Sequence, residues 1–276
     1  MWMRCCRSLQ DPLGIMRVFV GERVENVASF FEQVLMTDGL TFLFAAALIA
    51  GIVRGFAGFG TAMIFLPVAG QYLAPTWAIA VLTIMDIIGP LPLVKRAWRD
   101  ADRPDLGRLV VGLSCTLPIA LWALTLFDPQ IFRYMVSALS LGMLCVLALG
   151  LRYSGAVRPP LVFGIGGLGG VTGGLVGIPG PPVILFYMAS AHPPAVIRAN
   201  NLLYLLFFDL AILILLPLYG EMSLQAAVIG LMLVPAMMLG NVLGAKLFDP
   251  EKEKTYRAIA FVIIGISALM GLPLFD

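Results

Sequence analysis

From residue 39 to residue 274 the chain is a succession of apolar runs joined by short connections, which excludes a water-soluble fold. The runs are 39–56, 61–73, 77–97, 107–126 and 130–150, then 160–176, 180–190, 197–218, 223–246 and 256–274. A spanning helix needs about 20 apolar residues, so the third, fourth and fifth of each set are read as full spans. The first two of each set together suit two short helices or a re-entrant hairpin. Charge supports the same class, since 12% of residues are charged, against about 25% in soluble domains. A net charge of +2 without a basic run gives no grip on nucleic acid. No connection is long enough to hold a soluble domain.

Two stretches break the pattern in the same way. Gly51–Pro67 reads GIVRGFAGFGTAMIFLP, and Gly169–Pro182 reads GGVTGGLVGIPGPP. Each is an apolar helical run interrupted by glycines and followed by a second, short apolar piece. At membrane depth, non-helical backbone survives only where protein buries it or where it lines a wet cavity. Such breaks at matching places in two halves of a chain point to a transporter's binding site. The spacing of Gly51/Gly55 and of Gly169/Gly173 also suits close helix packing.

The halves repeat. LFDP stands at Leu126–Pro129 and again at Leu247–Pro250, 121 residues on. Gly55 and Gly58 return as Gly174 and Gly177, 119 residues on, and Leu117-Pro118 is matched by Val234-Pro235. In each LFDP the Asp can cap the next helix and the Pro can open it. Basic residues cluster at 95–108, 151–159 and 246–257, whereas 70–76 and 219–223 carry none. By the positive-inside rule the basic connections are cytoplasmic. The first LFDP then lies outside and the second inside, Arg133 being a contrary sign. The expected fold is therefore an all-α, polytopic membrane bundle of two inverted repeats, 39–150 and 160–276. Each repeat has a glycine-broken short helix pair and three full spans.

Residues 1–38 differ in carrying mixed charge, with Val20, Val24, Val27, Phe31 and Val34 at helical spacing. They read as an amphipathic helix lying on the membrane, or as non-native upstream sequence with Met36 as the true start. No secretory signal fits before Leu40.

Few residues can carry chemistry. Arg54 precedes the glycines of the first break, where an arginine costs at least about 2.5–3.5 kcal/mol on insertion scales and needs a compensating partner. Arg198, with Asn200 and Asn201 behind it, opens the run 197–218. A cation there opposes the helix dipole unless an anion lies between. For both arginines the alternative is an interfacial anchor. Asp86 and Asp209 sit near the middle of long runs, 11 and 15 residues after Pro75 and Pro194. One turn apart in that register, they share a face and are candidates for proton coupling or for pairing with Arg54 or Arg198. Helix starts at Gly58, Phe59, Gly60 and Thr61, and at Gly177, Ile178, Pro179 and Gly180, would offer backbone N–H groups to an anion. Cys115 and Cys145 are expected in the core, and the single histidine, His192, is thin material for a metal site.

Taken with the breaks, VRGFAGFGTAMIFLP (Val53–Pro67) and GIPGPPVILFYMASAHPPAVIRAN (Gly177–Asn200) resemble the TauE/SafE family of sulfite-exporter-like membrane proteins. The resemblance covers residues 39–274. It implies export or permeation of a sulfur-containing anion such as sulfite or an organosulfonate. The expectation is a multi-pass transporter of the bacterial inner membrane working by alternating access, with a small anionic substrate and membrane lipid as partners. It needs no cofactor, metal or nucleic acid, and homo-oligomerisation stays open. The alternatives are a cation or metal permease and a non-transport assembly protein. An intramembrane enzyme would need a nucleophile and base or a metal set, and no Ser/His or HExxH arrangement is present in the sequence.

Overall fold

The structure is a computed structural model that describes residues 29–30, 32–57, 59–149, 158–188, 192–247 and 253–273. It divides into one unit up to Leu40 and a second from Thr41 onward. In the first unit, residues 29–30 and 32–35 are helical; most of the stretch 1–38 lies outside the described residues.

The first half contains α1 (Leu40–Ala57), α2 (Thr61–Ala69), α3 (Pro75–Ile88), α4 (Val94–Asp100), α5 (Arg103–Leu124) and α6 (Pro129–Ala148). The second contains α7 (Pro159–Val176), α8 (Gly180–Met188), α9 (Pro194–Leu218), α10 (Leu224–Leu247) and α11 (Glu253–Met270). There is no strand among the described residues. Among the described residues five helices are long and apolar enough to cross a membrane: α5, α6, α7, α9 and α10. The protein is multi-pass.

One expectation needs correcting. The run 77–97 is not a single span. α3 stops after 14 residues, a 3-10 turn follows at Leu91–Leu93, and the seven-residue α4 takes over. The cause is Gly89-Pro90-Leu91-Pro92: each proline lacks an N–H and its ring crowds the carbonyl four residues back. Fourteen residues rise about 21 Å, short of the ~30 Å core. The last helix is also shorter in apolar length than expected, with Ala258–Met270 as its apolar part.

The starts of α5 and α6 carry side-chain caps. The Asp102 carboxylate accepts from the Asp105 N–H at 3.0 Å and opens α5. Asp128 accepts from the Gln130 N–H at 2.8 Å, with Pro129 at the first helical position, as the LFDP reading expects. In the second LFDP only Leu247 falls within the described residues.

Glycines set the tightest packing. A methyl at Gly51 would stand 2.4 Å from the Met237 carbonyl oxygen, and one at Gly55 would stand 2.4 Å from that of Asn241. Reciprocally, one at Gly244 would stand 2.1 Å from the Ile52 oxygen. Numbers rise together, so α1 and α10 run parallel with their backbones in contact. α5 and α7 do the same: Gly112 faces the Phe163 carbonyl, Gly166 that of Leu109, and Gly174 that of Leu117. The first helix of each half is thus seated on a long helix of the other, α1 on α10 and α7 on α5.

The outside of the bundle is apolar. On α9, Phe207, Leu210, Ile214 and Leu218 face outward, while Tyr204, Phe208, Ile212 and Leu216 are buried. Cys115 and Cys145 are exposed, not core. Cys115 falls on the outward stripe Val111–Ile119–Trp122 of α5, a phase that hydrophobicity alone does not reveal.

Candidate functional site

The two breaks form differently. α1 ends at Ala57, and the chain turns back through Gly60, whose φ of 104° suits glycine. A methyl on Gly60 would lie 3.5 Å from Val53, so the start of α2 folds back beside the turn that carries Arg54. Gly60 accepts the Ile64 N–H through its carbonyl. The N–H groups of Thr61, Ala62 and Met63 have no acceptor of this kind within the helix. Gly58 lies outside the described residues, Phe59 is half-buried, and Thr61 is buried.

At the second break, Gly177 closes α7 with φ 71°, its N–H donating to the Gly173 carbonyl at 2.8 Å. The Ile178 N–H donates to the Thr172 carbonyl, completing a Schellman-type end. Ile178, Pro179 and Gly180 are buried. α8 begins Gly-Pro-Pro, so of its first three residues only Gly180 carries an N–H. As a donor cradle it is poorer than α2. The breaks meet, since Gly177 faces Leu66 of α2 and Ile79 of α3.

Between the halves lies a charge cluster. In the last turn of α1, Arg54 donates through Nη1 to the Asp86 carboxylate of α3 at 2.5 Å, their side chains 21% and 20% exposed. A cation suits a helix C-terminus and an anion does not, so Asp86, in the last turn of α3, depends on Arg54. Asp209 of α9 is 8% exposed. The charges acting on it are those of Asp86 and Arg54, and it makes no direct hydrogen bond or ion pair among the described residues. Of the pairings the sequence left open for Asp86 and Asp209, the structure forms Arg54–Asp86.

The second arginine is placed differently. Arg198 is exposed on the second turn of α9 and has no ion pair among the described residues. It stands eleven residues before Asp209, about 16 Å of helix rise. Asn200 is fully buried and spends both amide hydrogens on the Asp102 carbonyl (3.2 Å) and the Tyr187 hydroxyl (2.6 Å). Its own oxygen is unpartnered, as is that of Asn201. As placed, Asn200 offers an acceptor and no free donor.

Sequence reasoning missed the corner around Asn200. Asp105 pairs with Arg108 at 2.5 Å and with His192 at 3.2 Å, and His192 lies edge-on to Tyr187. Asp102, Asp105 and His192 each bring a ligand-type atom within 4.8 Å of the others. Asp105 is already engaged by Arg108, so the group acts as a hydrogen-bonded tie between the start of α5 and the approach to α9. The capping signature Asp102-Arg103-Pro104-Asp105 was visible in the sequence; its contact with His192, 87 residues on, was not. A shallow depression lined by Gly70–Ala74, Asp128–Gln130 and Arg133 shares no residue with either cluster.

Residues 43–271 match the family model described as "Sulfite exporter TauE/SafE". A Cupriavidus necator protein named "Probable sulfite/organosulfonate exporter TauE" is 24% identical over 231 residues, spanning 78% of this chain and 87% of the relative. No solved structure matches the chain. The family match takes in both helix breaks, the charge cluster and nearly all of α1–α11, and the chain belongs to the sulfite exporter TauE/SafE family of membrane transporters.

Proposed function

We propose that the chain exports a small sulfur oxyanion, sulfite or an organosulfonate, across a bacterial inner membrane by alternating access to one site. The observation that carries this is the Arg54–Asp86 pair, its arginine in the last turn of α1, on the turn before the Gly60 break that opens α2. Guanidinium and helix N-terminus are the two groups that hold oxyanions best. Phe59, Gly60 and Thr61 form the primary cradle. Gly177, Ile178, Pro179 and Gly180 form the facing wall, and Arg198, Asn200 and Asn201 lie on the cytoplasmic approach. The name of the Cupriavidus relative supports the substrate class.

Purified protein should be stabilised against thermal unfolding by millimolar sulfite or methanesulfonate and less by acetate, since ligand binding to the folded state raises the midpoint. Liposomes containing it should release loaded sulfite or 2-hydroxyethanesulfonate. Equal stabilisation by acetate, or no release of either sulfur anion, would overturn the reading.

The inverted repeat belongs to the same proposal. Its support is the crossed seating of α1 on α10 and of α7 on α5, together with the alternation of basic connections. Single cysteines placed at 98–107, 151–159 and 248–257 in a cysteine-free background should label from the cytoplasm. Those at 219–223 and at the first LFDP should label from outside. Labelling of both LFDP connections from one side would sink the inverted arrangement. One observation favours a cation permease instead: carboxylates outnumber the guanidinium in the central cluster.

A further inference from the structure

Arg54 has one positive charge and is already engaged by Asp86, with Asp209 held nearby. An incoming anion therefore meets an occupied guanidinium. Adding it without compensation would set two negative groups, the anion and Asp86, against one positive, and uncompensated buried charge is costly. Among the described residues few other titratable groups are at hand; α11 brings Tyr256, whose ring packs on Phe56 of α1. α2 brings no ionisable group, and α10 brings only Lys246 in its last turn. α9 brings Arg198 and Tyr204, whose hydroxyl donates to the Gly166 carbonyl. α8 brings Tyr187, and α4 and α5, packed on α9, carry their charges between Lys95 and Arg108.

We infer that the substrate anion replaces Asp86 at Arg54 as Asp86 takes up a proton, so each turnover carries one anion and one proton in the same direction. This rests on the proposed function. The proton comes from water of the compartment facing the site and forms an O–H bond on the Asp86 carboxylate. Arg54 keeps all its protons and transfers its hydrogen bond from Asp86 to the anion. On the other side the anion leaves, the Asp86 O–H gives its proton to water, and the ion pair re-forms. The charge of the cluster is the same in both states, which is the physical reason for the coupling. Asp209, buried and without a direct partner, is the relay carboxylate for that proton. For a monovalent sulfonate the cycle is electroneutral, and the excess of carboxylates is explained without a metal or sodium ion.

The test uses the full chain in liposomes containing a trapped pH dye, with 2-hydroxyethanesulfonate as the probe because it stays ionised near neutral pH. Wild-type protein should acidify the lumen by one proton per sulfonate taken up, at a rate unchanged by an imposed potential of about 100 mV. Asp86→Asn should take up sulfonate without acidification and should become sensitive to the potential. Wild-type uptake that leaves lumen pH unchanged and follows the potential overturns the coupling while leaving the functional reading intact. No wild-type movement of sulfonate or sulfite overturns the functional reading, and the coupling falls with it. If Asp86→Asn does not insert, the wild-type pH and potential measurements decide alone.

Discussion

Arg54→Ala should destabilise the protein by about 3 kcal/mol, the low end of the cost of orphaning one partner of a buried pair. The low end applies because the two side chains keep 21% and 20% of their exposure and water screens part of the loss. Asp86→Ala should cost a similar amount. The double variant Arg54→Gln/Asp86→Asn should recover most of the stability, since no buried charge is left unpaired, yet should not move sulfonate. Unfolding in detergent at graded denaturant, run as a double-mutant cycle, measures this. Additive losses in the double variant would mean that the pair does not hold α1 and α3 together. Recovered stability together with retained flux would remove Arg54 from the anion site.

Gly166→Leu should prevent stable folding or cost upward of about 3 kcal/mol, beyond the usual range for overpacking. The first added carbon would stand 2.2 Å from the Leu109 carbonyl oxygen and 2.7 Å from its Cα, and two helix backbones cannot yield as a flexible side chain would. Gly164→Leu, two residues away on the same helix, is the control. A Cβ there meets nothing within 4 Å, and the change improves helix propensity by nearly 1 kcal/mol. Expression level and thermal midpoint of the two variants give the comparison. Similar behaviour in both would mean that α5 and α7 are not packed backbone to backbone.

Most segment boundaries were legible because desolvated backbone leaves a chain little choice but helix at membrane depth. The break after Ile88 was also written in the sequence, as Gly89-Pro90-Leu91-Pro92, but the high hydropathy of 77–97 hid it. The partnership of Arg54 with Asp86 was only one of several options. The two lie 32 residues apart on different helices, and their meeting depends on how α1 and α3 are rotated. Rotation also misplaced Cys115 and Cys145, because in lipid the outer face is as apolar as the core. The corner joining Asp105 to His192 lay further out of reach, since it needs the whole chain folded before either residue has its neighbour.

The seating of α1 on α10 sets a timetable for making this protein. Gly51 leaves the ribosome 186 residues before Met237, whose carbonyl it will face. At ~5–20 residues per second this is a wait on the order of 10–40 s. Over that interval the glycine face of α1 has no partner from its own half. A first half cut off at the connection 150–158 would keep that bare ridge indefinitely, so the two halves should persist only when synthesised together. Until α10 arrives, the ridge is free to be taken by an insertion chaperone or by the α10 of another copy.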